Sequence, residues 1–163
     1  MINNDVLRRL RFALQLTDDE VRRLSGLVGV GLAEEELRSY LAREGEPDFL
    51  PCPDRALEAC LDGLVLHRRG PRDGAPLPAT RFDNNMILKK LRIALELKEV
   101  EMLRLLKLGG MDLSPSELAG LFRTRTHQHY RACGDQLLRN FLKGLTAERR
   151  GVGAAGPDGA RSP

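Results

Sequence analysis

The sequence predicts an all-α protein made of two tandem four-helix repeats, about eight helices, packed with pseudo-twofold symmetry and containing helix-turn-helix-like pairs. Three observations predict it. Residues 3–70 align with 84–151 at a constant offset of 81 positions, without a gap, and about a third of the aligned pairs are identical. Such a repeat determines the architecture before any single element is assigned. Apolar residues recur at spacings of three and four, with no useful strand-like alternation. Each repeat holds about 70 residues, a size that buries only about 60% of the unfolded chain's surface, so the two units are expected to share an interface.

The elements follow in chain order. Val6, Leu7, Leu10, Ala13 and Leu14 mark a first helix ending near Leu16, with Asn4 as its expected N-cap. Thr17 and Glu20 form a capping-box pair that opens a second helix. Its apolar side is Val21, Leu24, Leu27 and Val28, and Gly29 and Gly31 stop it. A third helix is expected from about Glu34 to Arg43. The Pro- and Gly-bearing stretch 44–53 is a loop, and Asp54 is expected to cap a fourth helix carrying Leu57, Cys60, Leu61, Leu64 and Val65.

The second copy repeats this plan with other punctuation. Its first helix is expected from about Asn85 to Leu97. Lys98 and Glu99 stand where Thr17 and Asp18 stood, so the capping box of its second helix is missing. Its third helix has the better start, with Ser114 as N-cap, Pro115 at the first helical position and Glu117 at N3. The expected boundaries are therefore a first repeat at 1–70, a stiff Pro-rich linker at 71–83, a second repeat at 84–151 and a disordered Gly/Ala/Pro tail at 152–163. Gly63 and Gly144 fall inside the fourth helix of each copy, where glycine costs about 1 kcal/mol relative to alanine. Their presence in both copies predicts close approach of another helix.

Several motifs occur in both copies: an Asn-Asn pair, a Leu-basic-basic-Leu-Arg-x-Ala-Leu run, Glu36-Leu37 and Glu117-Leu118, and a Cys-x-Asp at Cys52 and Cys133. Together with the closing Arg69-Gly70 and Arg150-Gly151, they resemble the YehS-like family, bacterial proteins built from two tandem copies of a domain of unknown function. The resemblance covers both repeats. It implies a bacterial cytoplasmic protein and brings no catalytic residue with it.

The bulk numbers narrow the function classes. Formal net charge is +3, unevenly spread. Residues 1–81 hold 12 Lys+Arg and 14 Asp+Glu, a net of −2, and residues 82–163 hold 14 and 9, a net of +5. A basic half suggests contact with a polyanion. Three cysteines, an odd number, argue against a disulfide framework and for a reducing cytosol. The chain enters a charged amphipathic segment at once, and no apolar run nears the ~18–20 residues of a membrane span, so neither a secretion signal nor a membrane role is expected.

The strongest candidate site lies in the second copy. A helix over Met102–Leu108, a Gly109-Gly110 turn and a capped helix from Ser114 to Arg125 read as a helix-turn-helix-like pair. An unbroken polar and basic run follows, containing Arg123, Arg125, His127, Gln128, His129, Tyr130 and Arg131. Arginines neutralise phosphates, and His or Tyr can stack on an unpaired base. The competing reading is an ordinary helical hairpin with a solvated loop. The first copy carries Glu44, Glu46 and Asp48 there, which argues against a symmetric reader.

Basic residues of the leading helices give secondary candidates: Arg8 and Arg9, with Lys89 and Lys90 at the matching positions. Arg11 and Arg92 border apolar stripes and are expected to be structural, covering apolar surface and pairing with a carboxylate such as Glu36, Glu117, Asp54 or Asp135. His127, His129 and Cys133 lack a fourth ligand, so no metal is expected. Cys52 and Cys133 read as small buried hydrophobes. No phosphate loop, nucleophile elbow or triad appears, so neither enzymatic activity nor a cofactor is expected. The resulting expectation is a small cytoplasmic DNA- or RNA-binding protein, possessing a basic second repeat that meets phosphates. The alternative is a protein-interaction module with a groove between the repeats.

Overall fold

The structure is a computed structural model that describes residues 1–71 and 81–151. The linker positions 72–80 and the tail 152–163 lie outside the described residues. The described residues form eight helices with no strand among them. They divide into two compact units, one for each repeat.

Unit 1 contains α1 (Asn3–Ala13), α2 (Asp18–Leu27), α3 (Glu34–Leu41) and α4 (Asp54–Arg69). Unit 2 contains α5 (Asn84–Ala94), α6 (Glu99–Leu108), α7 (Pro115–Gly120) and α8 (Asp135–Arg150). The apolar stripes turn inward as their spacing requires. Leu7, Leu24, Leu37, Leu57 and Leu61 make the centre of unit 1, and Leu88, Leu105, Leu118, Leu138 and Phe141 that of unit 2. Burying such side chains supplies about 1.5–3 kcal/mol each, the main force holding units this small together.

The long fourth helix of each unit packs along the second, α4 on α2 and α8 on α6. Gly63 and Gly144 make this possible. A Cβ on Gly63 would stand 1.9 Å from the Leu24 carbonyl oxygen, and one on Gly144 would stand 1.8 Å from that of Leu105. The helices therefore touch backbone to backbone, as the interior glycines predict. In unit 2 a second glycine, Gly109, closes the same contact, since its Cβ would meet the Asn140 carbonyl oxygen at 1.7 Å.

Helix starts differ from expectation at instructive places. Thr17 and Glu20 form the full capping box, and so do Ser114 and Glu117. At Lys98 half a box survives: the Glu101 carboxylate accepts from the Lys98 N–H at 2.8 Å, but Lys98 has no acceptor to return the bond. Asn4 is not an N-cap. α1 begins one residue earlier, and the Asn4 side chain turns inward, 1% exposed. Its amide donates to the carbonyls of Tyr40 (3.1 Å) and Leu50 (2.8 Å), and its oxygen accepts from the Cys52 N–H (2.9 Å). Asn3 donates to the Cys52 carbonyl and to the Asp54 carboxylate. Asp54 is the first residue of α4 and not its cap; its side chain serves this bond instead.

Unit 2 repeats the arrangement residue for residue through Asn84, Asn85, Cys133 and Asp135, while Asp83 caps α5. The Asn-Asn and Cys-x-Asp motifs are thus two halves of one clamp. They tie the start of the first helix to the long loop between the third and fourth.

Arg11 and Arg92 are structural, with partners other than those expected. Arg11 Nε donates to the Asp18 carboxylate at 2.7 Å. Arg92 Nε donates to the Leu97 carbonyl at 3.1 Å, and its guanidinium lies 4.6 Å over the Phe122 ring.

Candidate nucleic-acid interface

The expected helix from Ser114 to Arg125 is shorter than its spacing predicts. α7 ends at Gly120, after six residues. From there the backbone bonds tighten to three-residue steps: Leu121 N–H to the Leu118 carbonyl, Phe122 to Ala119 and Arg123 to Gly120. The Leu121 carbonyl, which a continuing helix would use for residue 125, accepts from the Asn85 amide at 3.0 Å instead. The Gly-turn helix pair is present, but the polar run lies on a loop, residues 121–134, and not on a recognition helix.

That loop is tightly held. Asn85 binds the carbonyls of Leu121 and Arg131 and the N–H of Cys133, so one side chain grips both ends of the loop. Tyr130 OH donates to the same Asn85 oxygen at 3.3 Å. The Arg131 N–H donates to the Gly120 carbonyl at 2.9 Å, closing the loop on itself. Only a glycine fits at 120 in this arrangement, because a Cβ there would sit 2.7 Å from the His129 carbonyl oxygen.

The structure gathers most of the candidate residues here. Arg123, Arg125, His127, Gln128 and His129 are exposed, and Tyr130 and Arg131 are half-buried. Arg123, His129 and Arg131 share an open cleft of about 340 Å³ with Ser116, Glu117 and Gly120. Arg131 is engaged there, donating to the Glu117 carboxylate at 2.8 Å. No Asp or Glu occurs between 121 and 134.

The most telling geometry is at His127. Its Nδ1 accepts from the His129 backbone N–H at 3.0 Å, while its Nε2 faces the Arg123 guanidinium at 3.3 Å. A neutral imidazole offers one lone pair, so it cannot accept from both. Desolvation, then the positive charge of Arg123, then His129 lower the His127 pKa below the usual histidine value, which favours the neutral ring. The rings of His127 and His129 lie 5.7 Å apart. No group of three or more His, Cys, Asp or Glu side chains suited to a metal ion occurs among the described residues.

The secondary candidates stand elsewhere. Lys89 and Lys90 are half-buried on α5. Arg8 and Arg9 belong to unit 1. The Arg8 side chain is only 12% exposed and donates to the Ala42 carbonyl and to the Asp5 carboxylate, which gives it a structural task. Arg9 is half-buried, with its Nε enclosed. Sequence reasoning missed Asn85, which positions the whole loop. Its signal was present, since the Asn-Asn pair recurs with the Cys-x-Asp motif at the same separation in both copies.

Comparison with known proteins agrees with the duplication. A family described as "Protein of unknown function (DUF1456)" matches residues 3–70 and again 84–151. The chain belongs to this family. It is similar to the uncharacterized protein YehS of Escherichia coli (strain K12), 38% identical over 151 residues, which covers 91% of this chain and 97% of that protein. No solved structure matches the chain. No helix among the described residues is long and apolar enough to cross a membrane.

Proposed function

We propose that this protein binds nucleic acid through the Arg123–Arg131 loop of unit 2, neutralising phosphates with limited contact to bases. The observation that carries this reading is the surplus of donors at His127. Two N–H groups, from His129 and Arg123, converge on a ring that can accept only one of them. An anionic oxygen at this point relieves the conflict by accepting from Arg123. The rest of the loop adds Arg125 and His129 and offers no carboxylate to compete. The clamp on Asn85 holds the loop in place before binding, which lowers the ordering cost of capture.

Arg123, Arg125, His127 and His129 form the primary contact. Arg131 is held by Glu117 and supports them, with Lys89 and Lys90 on the same unit as peripheral charge. Arg8 and Arg9, in unit 1, are secondary, since Arg8 is committed to Ala42 and Asp5. α7 has only six residues and the basic run lies on a loop and not on a helix, which favours single strands or an exposed backbone over major-groove readout. The role is one of binding, without a chemical step, and free Cys52, Cys60 and Cys133 suit a reducing cytoplasm.

The test is fluorescence anisotropy with labelled single- and double-stranded DNA and RNA, at about 50 and about 200 mM salt. Affinity is expected to fall with salt, and Arg123→Glu/Arg125→Glu is expected to weaken it at least about tenfold at the lower salt, with a shallower salt slope. Absence of binding at low salt, or unchanged binding by the double variant, would overturn the proposal. Binding that ignores salt would point instead to apolar capture of a protein partner.

A further inference from the structure

The duplication supplies an internal control for a second site, in unit 1 and independent of the loop described above. Between the last turn of α4 and the middle of α2 lies a cleft of about 350 Å³. Leu16, Leu24 and Leu64 form its floor, and Arg23, His67 and Arg68 its rim. The one carboxylate lining it, Glu20, already accepts from the Thr17 N–H at 2.7 Å in the capping box.

Unit 2 carries the same floor, as Leu97, Leu105 and Leu145, and two of the same rim positions, as Arg104 and Arg149. It differs at one place. Where unit 1 has His67, unit 2 has Glu148, and Glu148 pairs with Arg104 at 2.5 Å. In unit 1 an imidazole stands where that carboxylate stands, so the acid left beside Arg23 in the cleft is Glu20, whose carboxylate is engaged by the Thr17 N–H.

We propose that this cleft binds a small amphiphilic anion, a carboxylate carrying a short aliphatic chain, whose head takes the place that Glu148 holds in unit 2. The guanidinium forks of Arg23 and Arg68 match a carboxylate in shape and charge. The tail covers the leucine floor of the cleft itself. The adjoining crevice, which Arg11 lines together with Leu7, Leu10 and Leu61, holds only about 20 Å³, too little for an aliphatic chain, so the tail stays in the cleft. The cleft volume lies at the lower end of the ~300–1,000 Å³ typical of small-molecule sites.

The experiment titrates the full-length protein with hexanoate, hexylammonium and acetate, followed by NMR of backbone amides and leucine methyls. Hexanoate is expected to shift Leu16, Leu24, Leu64 and His67 saturably and to show NOEs from its chain to the Leu24 and Leu64 methyls. Acetate is expected to bind at least about tenfold more weakly, since it buries no chain. Hexylammonium is expected not to bind. His67→Glu copies the pair that unit 2 already tolerates and is expected to weaken hexanoate at least about tenfold by placing a competing carboxylate beside Arg23. Arg123→Glu/Arg125→Glu is expected to leave hexanoate binding unchanged, which separates this site from the nucleic-acid reading. Absence of shifts or NOEs with hexanoate, equal binding of hexylammonium, or full affinity in a folded His67→Glu protein would each overturn the proposal. Should His67→Glu fail to fold, the NOEs to the wild-type protein decide.

Discussion

Replacing Asn4 by alanine should cost about 3–5 kcal/mol, far more than a surface asparagine is worth. The side chain is buried and makes three hydrogen bonds, to the carbonyls of Tyr40 and Leu50 and from the N–H of Cys52. At about 0.5–1.5 kcal/mol net for each bond, their loss alone amounts to roughly 1.5–4.5 kcal/mol. Three backbone groups are then left without their partner, which raises the cost wherever water cannot reach them. This is a large share of the ~5–15 kcal/mol that holds a typical domain together. Urea unfolding followed by circular dichroism measures it.

Asn3→Ala is the control. Asn3 is half-buried and makes two bonds, one to an exposed carboxylate, so its loss should cost about 1 kcal/mol. Asn4→Asp separates hydrogen-bond chemistry from packing. It keeps the shape but turns the donor into a charged acceptor facing two carbonyl oxygens, so at pH 7 it should be at least as harmful as alanine. Burial then raises the folded pKa of the new carboxyl above its unfolded value of about 3.9. The stability it retains is full below that unfolded value and is lost as pH rises through the folded one, so Asn4→Asp should recover on acidification and Asn4→Ala should not. A cost below about 1 kcal/mol for Asn4→Ala, or an aspartate variant more stable than the alanine one at pH 7, would refute the clamp.

Other outcomes follow from the same geometry. Gly144→Ala, which would normally stabilise a helix by about 1 kcal/mol, should destabilise unit 2, because the new Cβ meets the Leu105 carbonyl oxygen at 1.8 Å; a thermal melt no lower than wild type would contradict the backbone contact. Lys98→Thr should complete the half-made capping box and raise stability by about 0.5–1 kcal/mol, read from the urea midpoint. The Glu117 carboxyl is held below its ordinary 4.5 first by the Ser114 backbone N–H, then by the Ser114 side chain and by Arg131. A lowered folded pKa gives stability that is present above the unfolded value and lost as pH falls through the folded one, so α7 should fray in acid, with the Ser114 and Glu117 amide signals moving together. Burial pushes the thiols of Cys52, Cys60 and Cys133 up to about 12, so the native protein should resist a thiol reagent at pH 8 and react only on unfolding; reaction within seconds would refute their burial.

Much of the fold could be read from the chain because it depends on local periodicity and on duplication. Helix order, the capping boxes at Thr17 and Ser114 and the inward face of each helix follow from residues three and four apart. The close approach at Gly63 and Gly144 was legible as well, since a glycine inside a helix weakens both copies unless a neighbouring backbone needs the space. The loop at 121–134 was not. Its residues permit helix, and α7 stops because Asn85, far away in sequence, takes the Leu121 carbonyl that another helical turn would need. Asn4 illustrates the same limit: a short polar side chain at a helix start suits a cap, and only the position of the Cys52 loop turns it inward.

The sequence by itself determined that this is a duplicated all-α chain with a basic second half, because repeats, charge and helical spacing are written in neighbouring residues. Only the tertiary structure decided which basic side chains are committed to internal partners and which are exposed. It commits Arg8 to Ala42 and Asp5, Arg11 to Asp18 and Arg92 to Leu97 and Phe122, and leaves Arg123, Arg125 and His129 exposed on a clamped loop. The physical reason is that a side chain's hydrogen-bond partner is set by what the fold brings within about 3 Å: Asp18 and Leu97 are near their arginines in sequence, but Ala42 lies 34 positions from Arg8, and the groups that Asn85 clamps lie 36 to 48 positions from it.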